Sequence, residues 1–353
     1  MNFIKNLFIK EKVNHGFWKK LSKPIIVIAP MADVTDVSFR QMFAKYGKPD
    51  VMWTEFVSAD GLCLAPKKSK KEDKMSGHEL LWKDLQYFEN ERPIIAQLFS
   101  GNPKYIEQAS YEVTKAGFDG IDINMGCPDK SIQKQCAGAY LIKEPKRAIQ
   151  IIKSAKRGIK KACQEMNKED IPVSVKTRLG FNTDIMEKWI TQLIKAKPAV
   201  ITIHARTRKQ MSKVPAQWNR IADAVALRNK LKSETLIFGN GDVIDLEDAK
   251  QKSKETGCDG VMIGRGIFGN LWFFDVSSQG GKQISFEKKL QALVEHTYLF
   301  EKYLSHKNFA LMKKHYKAYV HGFDGAHELR NKLMQAHDAL EVEKIISDFI
   351  KLK

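Results

Sequence analysis

Residues 93–128 read PIIAQLFSGNPKYIEQASYEVTKAGFDGIDINMGCP. The stretch opens on PIIAQLF (93–99), nearly continuous in apolar character, as a short strand buried on both faces should be. Asn102-Pro103 then supplies an N-cap and a first helical position. Ile106, Ala109, Val113 and Ala116 follow at helical spacing, and Gly117 closes the helix. GIDIN (120–124) reads as a second buried strand. Strand, helix and strand in one short run form a βαβ unit, whose two strands are parallel. The unit ends in Gly126-Cys127-Pro128, a thiol at a strand tip followed by a residue that fixes the backbone. A cysteine in a core needs neither neighbour; one held over a pocket has a use for both.

The same rhythm runs outward in both directions. Further apolar runs are IIVIAP (25–30), VMWTEFV (51–57), PVSVKT (172–177), AVITIHA (199–205), TLIFGN (235–240) and GVMIG (260–264), which brings the total to eight. Pro145 starts another helix, with Ile149, Ile152, Ala155 and Ile159 on one face, and Asp184 and Asp245 are candidate N-caps for two more. Eight βα units in series predict an α/β fold, a (β/α)₈ TIM barrel over residues 24–276. A doubly wound sheet is the alternative, and it requires a reversal of strand order. Residues 1–23 form an amphipathic N-terminal extension. SSQGGKQ (277–283) is a Gly/Ser-rich linker. Beyond it, over 285–353, apolar residues fall at helical spacing only, predicting a small all-helical C-terminal domain. PKKSKKEDKMSGHELLWKD (66–84) is a long basic connection on the rim that follows the second strand.

Composition narrows the partners. Lys+Arg is 59 against 41 Asp+Glu, a formal charge of +18, which favours a polyanion such as nucleic acid. The five cysteines (63, 127, 136, 163, 258) are widely spaced and odd in number. That pattern predicts neither a disulfide framework nor a metal site and fits a reducing compartment. The N-terminus lacks a signal-peptide core, and no run approaches the roughly 20 apolar residues of a membrane span. The expectation is a cytoplasmic protein with no membrane partner and no metal. The sequence names no protein partner.

In such barrels chemistry sits at the C-terminal ends of the strands. Those ends carry Ala29-Pro30-Met31-Ala32 with Thr35-Asp36, Thr54-Glu55, Gln97, Asn124 with Cys127, Lys176 and Arg178, His204 and Arg206, Gly239-Asn240-Gly241-Asp242, and Gly264-Arg265-Gly266. A polar ring over an apolar barrel is a ligand site. Its last two turns are glycine-rich and include Arg265, which suits a phosphate. GRGIFG (264–269) matches a dinucleotide-binding pattern, but it follows seven earlier βα units rather than opening the first, so a Rossmann domain is not expected.

APMADVTD, the QLF run, GIDINMGCP, VSVKTRLGF, ITIHARTR, GNGD and GVMIGRG occur in this order and spacing. Together they resemble the tRNA-dihydrouridine synthase family, densely over about residues 24–275 and more loosely through the helical tail, with a loose likeness to its bacterial B-type branch. The resemblance implies an enzyme with tightly bound FMN, reduced by NADPH, that converts particular uridines of tRNA to 5,6-dihydrouridine. It implies that Pro30, Met31 and Ala32 line the flavin ring, that Gln97 bonds its polar edge, and that Lys176 sits near N1 and C2=O. Asn240, Gly241, Asp242, Gly264 and Arg265 would hold the ribityl chain and phosphate, with His204 beside flavin and base. The helical tail would correspond to the family's RNA-binding domain.

The chemistry explains the opening stretch. Hydride addition to C6 of uracil builds charge at C5 and O4, and a proton must reach C5 from the opposite face. A thiol, mostly protonated at neutral pH, can supply it; by resemblance Cys127 is that acid. Cys136, where the family usually has a small residue, is a weaker candidate, and Cys63, Cys163 and Cys258 read as small buried hydrophobes. The target base must leave its stack. Asn124, Arg178, Arg206, Arg208 and Lys209 on the rim are candidate substrate and tRNA contacts. Lys313, Lys314 and Lys317, with His315, His321, Arg330 and Lys332 and with Tyr316 and Tyr319 interleaved, read as an RNA footprint. Two rivals stay open: a reductase of a free pyrimidine of the dihydroorotate dehydrogenase kind, and a non-catalytic tRNA-folding factor.

Overall fold

A computed structural model describes residues 12–69 and 75–352. The first eleven residues of the amphipathic N-terminal stretch and the middle of the basic 66–84 connection lie outside the described residues. Each apolar run becomes a strand: β1 (Ile25–Ile28), β2 (Met52–Ser58), β3 (Ile94–Phe99), β4 (Gly120–Asn124), β5 (Val173–Arg178), β6 (Val200–His204), β7 (Leu236–Asn240) and β8 (Gly260–Ile263). All paired neighbours are parallel, in the order β1-β8-β7-β6-β5-β4-β3-β2. A Val27–Val51 bridge brings β1 back to β2. The order never reverses, so the architecture is the barrel and not the doubly wound sheet.

Register sets the rim. Arg178 lies opposite His204, and His204 opposite Asn240, so three polar side chains come abreast at the C-terminal edge. Lys176, two residues before Arg178, shares its face.

The helices of the barrel are α1 (Val37–Tyr46), α2 (Ala59–Leu64), α3 (Gly77–Asp84), α4 (Pro103–Lys115), α5 (Lys130–Lys134), α6 (Pro145–Glu165), α7 (Met186–Lys195), α8 (Asn219–Lys230) and α9 (Leu246–Thr256). Asn102 caps α4 by accepting from Lys104 N–H at 3.0 Å. Asp245 caps α9. Asp184 lies one residue before the N-cap of α7 yet still accepts from Met186 N–H at 2.9 Å. Helices α4 and α6 pack so closely that a Cβ on Gly158 would lie 2.1 Å from the Glu107 carbonyl oxygen. Glycine is therefore required there for contact, not for conformation.

At the N-terminal end of the barrel the described part of the extension is a plug. Trp18 is buried and packs 6.0 Å from Trp53 and 5.4 Å edge-on from Phe238. Ile25, Val27, Ile95, Val200 and Met262 complete that apolar layer.

Past the barrel lie α10 (Phe286–Leu304), α11 (Lys313–Tyr319), α12 (Ala326–Leu333) and α13 (Ala339–Lys351). They pack on α1, where Phe39 stacks on His296 at 5.3 Å and meets His315 at 4.9 Å. This corrects the sequence reading of the tail. Tyr316, Tyr319 and His315 are buried among apolar side chains and are not interleaved with the lysines on a surface. His315 and Tyr319, four apart, and Tyr316 and Tyr319, three apart, form the buried face, whereas Lys317 is exposed and Lys313 is half-buried. Among the described residues no helix is long and apolar enough to cross a membrane.

Candidate active site

A cavity of about 610 Å³ opens at the C-terminal ends of the strands. Pro30, Met31, Lys176, Arg178, His204, Arg206, Asn240, Gly241, Asp242, Gly264 and Arg265 all line it, with Ala29, Pro128, Met211, Ser212, Val243 and Gly266. Residues from six strand ends thus converge on one space of ligand size.

The electrostatics of that space are cationic. Lys176 Nζ reaches Asn240 Oδ1 at 3.3 Å, and among the described residues it forms no ion pair with a carboxylate. Burial, then the neighbouring Arg178, pushes this amine down to about 8. Burial likewise lowers Arg178 to about 10. His204 is held well below the usual imidazole range, first by burial and then by Arg178 and Lys176. Its ring is therefore neutral. Arg206 can only donate, so the 3.2 Å contact to His204 Nε2 makes that nitrogen an acceptor and leaves the proton on Nδ1. Asp242 accepts from Ala216 N–H at 2.9 Å, from Arg206, and from Arg265 at 3.2 Å. Its carboxylate organises the two arginines rather than standing free for a ligand.

Cys127 is presented by a frame of hydrogen bonds. Asn124 Oδ1 accepts from Gly126 N–H (3.1 Å) and Cys127 N–H (2.9 Å). The Cys127 carbonyl accepts from Ala139 N–H at 3.0 Å. Arg178 Nε donates to the Gly126 carbonyl at 2.7 Å, and Gln133 Nε2 donates to the Pro128 carbonyl at 2.6 Å. Cys127 is not among the cavity-lining residues; its neighbour Pro128 is, and Cys127 packs against an apolar cluster of Phe99, Ile132, Ala137 and Phe56. Burial raises the thiol above its ordinary range. At neutral pH the sulfur is therefore protonated, a proton donor and not a thiolate nucleophile.

The sequence profile of the dihydrouridine synthase family (Dus) matches residues 27–352. The chain belongs to that family. It is 36% identical over 341 residues to a probable tRNA-dihydrouridine synthase 2 of Bacillus subtilis, covering 96% of this chain and 97% of that one. It is 34% identical over 340 residues to a probable tRNA-dihydrouridine synthase of Staphylococcus aureus, covering 96% of each. Two solved structures share the fold at a TM-score of 0.50. Histamine dehydrogenase from a Rhizobium species is 11% identical, over 82% of this chain and 50% of that one. A 2-naphthoyl-CoA reductase is 12% identical, over 76% and 52%. As a dihydrouridine synthase family member the chain is an oxidoreductase.

Some of the expected site residues of this dihydrouridine synthase fall elsewhere. Ala32 is exposed and is not among the cavity-lining residues. Gln97 is fully buried, with its amide nitrogen on Asp122 at 2.6 Å and its oxygen accepting from Asn124 at 3.0 Å. Asn124 thus has both ends of its side chain engaged, and it positions Cys127 rather than facing the rim. Arg208 lies over the Phe181 ring at 4.8 Å, and Lys209 is exposed on the same loop. Lys313 and Lys314 are half-buried and Lys317 is exposed, all on the helical region and outside the cavity. Cys136 takes the left-handed conformation, φ +56°, a backbone that glycine adopts freely. Glu55 and Asp36, noted only as polar strand-end residues, serve structure: Asp36 caps α1, and Glu55 meets Lys307, a residue that sequence reasoning missed. GRGIFG forms a short 3₁₀ turn with no dinucleotide-binding helix after it.

Proposed function

We infer that this protein is a tRNA-dihydrouridine synthase that reduces the C5=C6 bond of particular uridines, with FMN as resident cofactor and NADPH as reductant. The observation that carries the reading is the convergence of eleven expected residues on one cationic cavity at the mouth of the barrel, with Cys127 held by Asn124 next to the lining residue Pro128.

The residues present fit FMN. The Lys176 amine is buried against the cavity wall with only an amide oxygen as partner, so an electron-rich ring edge would complete it. A Cβ on Gly264 would meet only Ala29 Cβ, at 3.9 Å, and both residues line the cavity, so glycine leaves space on the ligand side. Arg265, two-thirds exposed, is available for a phosphate. Pro30 and Met31 offer an apolar wall. When bound, FMN reduced by NADPH supplies the hydride that C6 of the uracil ring receives.

The chain's own groups do the rest. Cys127 Sγ–H gives its proton to C5, and burial keeps that proton in place until it is needed. Neutral His204, protonated on Nδ1, donates a hydrogen bond at the cavity wall without adding charge. Arg178 and Arg206 supply positive charge where negative charge builds on the base. Residues 24–276 form the catalytic unit. The helical region, 285–353, carries tRNA, with Lys313 and Lys317 as phosphate contacts. A net charge of +18 supports a polyanionic substrate.

The test is purified protein with NADPH and unmodified bulk tRNA, read by nucleoside mass spectrometry. Dihydrouridine that is abolished by Cys127→Ala is the expected result. Reduction of free pyrimidines with unchanged tRNA would overturn the RNA substrate. A biological effect that survives Cys127→Ala would overturn catalysis as the role.

A further inference from the structure

The helical region touches the cavity rim through one side chain in particular. Lys307 lies just after α10, and its side chain is 13% exposed. Its Nζ is 2.9 Å from Glu55 Oε2, 2.8 Å from Asp84 Oδ1 and 4.0 Å from Asp33 Oδ1. These carboxylates come from three elements: Glu55 from β2, Asp84 from the end of α3, and Asp33 from the loop between β1 and α1. The second oxygen of Glu55 accepts from Asp33 N–H. Asp33 sits at φ +54°, the left-handed region, which aspartate tolerates better than most non-glycine residues. The same loop folds back on Met31, whose N–H donates to Thr35 Oγ1 at 2.9 Å and whose carbonyl accepts from Val34 and Thr35 N–H. Met31 lines the cavity.

We propose that Lys307 is a positioning residue that locks the helical region to the cavity loop, so that alignment of the RNA over the cavity and Cys127 depends on this one ammonium. The inference rests on the reading that RNA is the substrate. The fold itself does not need the clamp, because α10 and α11 already bury an apolar face on Phe39 and its neighbours. Apolar faces tolerate small sliding and repacking. A buried cation shared by three elements admits one arrangement, since moving it strands carboxylates without a partner. A helical region free to shift against the cavity loop would hold the RNA less tightly and in more than one register, a loss in binding and position choice more than in turnover.

The clamp also carries a pH signature. Glu55 is raised to about 7, first by burial, with Asp36 and Asp84 adding and Lys307 opposing. Among the described residues, the charged groups facing it are Lys307 and Lys314 from the helical region, Asp84 from α3, and Asp33 and Asp36 from the β1–α1 loop. Glu55 ionises as pH rises through 7, and the clamp tightens with it.

The experiment uses the full-length, flavin-loaded enzyme with unmodified tRNA at pH 6 to 8. Lys307→Met is expected to raise KM for tRNA about tenfold and to spread dihydrouridine to further positions. kcat and NADPH oxidation without RNA should stay within about twofold, and Lys307→Arg should recover most of the loss. Wild-type KM should fall between pH 6 and 8, and Glu55→Gln should flatten that slope. Wild-type KM and position choice in Lys307→Met would overturn the proposal. If that variant does not fold, Asp84→Asn carries the same test, with a smaller rise in KM expected and an unchanged KM overturning it. If the wild-type enzyme leaves tRNA unmodified, the RNA reading fails on its own. Hydrogen exchange of peptides spanning 31–36 then still decides the clamp: faster exchange in Lys307→Met supports it, and unchanged exchange overturns it.

Discussion

The two ends of the barrel are built from the same strands, two or four residues apart. On β7 Phe238 packs against Trp18 at the closed end, and Asn240 lines the cavity at the open end. On β2 Trp53 belongs to the apolar plug, and Glu55 to the ion cluster at the rim. On β6 Val200 lies in the plug and His204 in the cavity wall. Between them runs a buried polar layer: Asp122 accepts from Gln97 and from Ser174, each at 2.6 Å, and burial raises it to about 6. Side chains two apart on a strand share a face, so each strand carries stability and chemistry on one face in sequence. The closed end can therefore be damaged without touching the reaction, and the open end without destabilising the fold.

The largest expected effect separates the two. Cys127→Ala should lower dihydrouridine formation by about 10²- to 10⁴-fold, the usual contribution of a general acid, while the visible spectrum of bound flavin stays as in wild type. The pH profile sharpens the point. The thiol must be protonated, and burial raises its pKa. The rate should therefore stay level through pH 8 and fall only above the ordinary thiol range. A fall beginning below pH 8 would assign the proton to another group.

At the other end, Trp18→Ala should cost about 3–5 kcal/mol of stability, as removal of a buried aromatic does. Denaturant unfolding would show it. On enzyme that remains folded, KM and kcat should not move. A change in turnover without a change in stability would break the division between the ends.

Lys176→Met tests whether the open end is itself a cost to the fold. The Lys176 amine is held at about 8 in the folded state, below the usual lysine value. Between pH 8 and the ordinary range the unfolded chain binds more protons, so stability rises with pH across that window. Below it the flavin-free protein carries a penalty on the order of 2 kcal/mol, less than the full shift because part of the side chain faces the cavity. Lys176→Met should stabilise the flavin-free protein near neutral pH, erase the rise above pH 8, and weaken flavin retention. Thermal melts across pH, with and without FMN, measure all three.

What the sequence made legible follows from periodicity. Eight apolar runs became eight strands, because strands buried on both faces admit little but apolar residues. The rim was legible as far as a strand end points inward, and eleven of the expected residues line one cavity. Gln97 and Asn124 were harder: the pattern placed them on the right strands, but only three dimensions tie their amides to each other, to Asp122 and to the backbone of Cys127. Lys307 was out of reach, since its partner Glu55 is 252 residues away and neither sits in a motif. Tyr316 and Tyr319 misled because a basic helix with aromatics looks alike whether the rings face RNA or a core. The choice depends on α1, which supplies Phe39 from the far end of the chain. Trp18 was folded into an extension because nothing local marks a barrel plug.

The smallest effect concerns the second thiol of the loop after β4. Cys127 and Cys136 stand nine residues apart, yet the structure treats them differently. Cys127 sits in a frame of four hydrogen-bonded neighbours, whereas the amide of Cys136 donates to the Gln133 carbonyl and its backbone is left-handed. A side chain there costs about 1–2 kcal/mol, of which glycine would relieve part while adding freedom to the unfolded chain. Cys136→Gly should therefore leave stability within about 1 kcal/mol of wild type and on the favourable side, with turnover unchanged. The double variant with Cys127→Ala should be as inactive as Cys127→Ala alone. If Cys136→Gly lowered turnover, or if the double variant were much slower than Cys127→Ala, the proton would be shared between the two sulfurs. The loop would then have to move to bring the second one to the base.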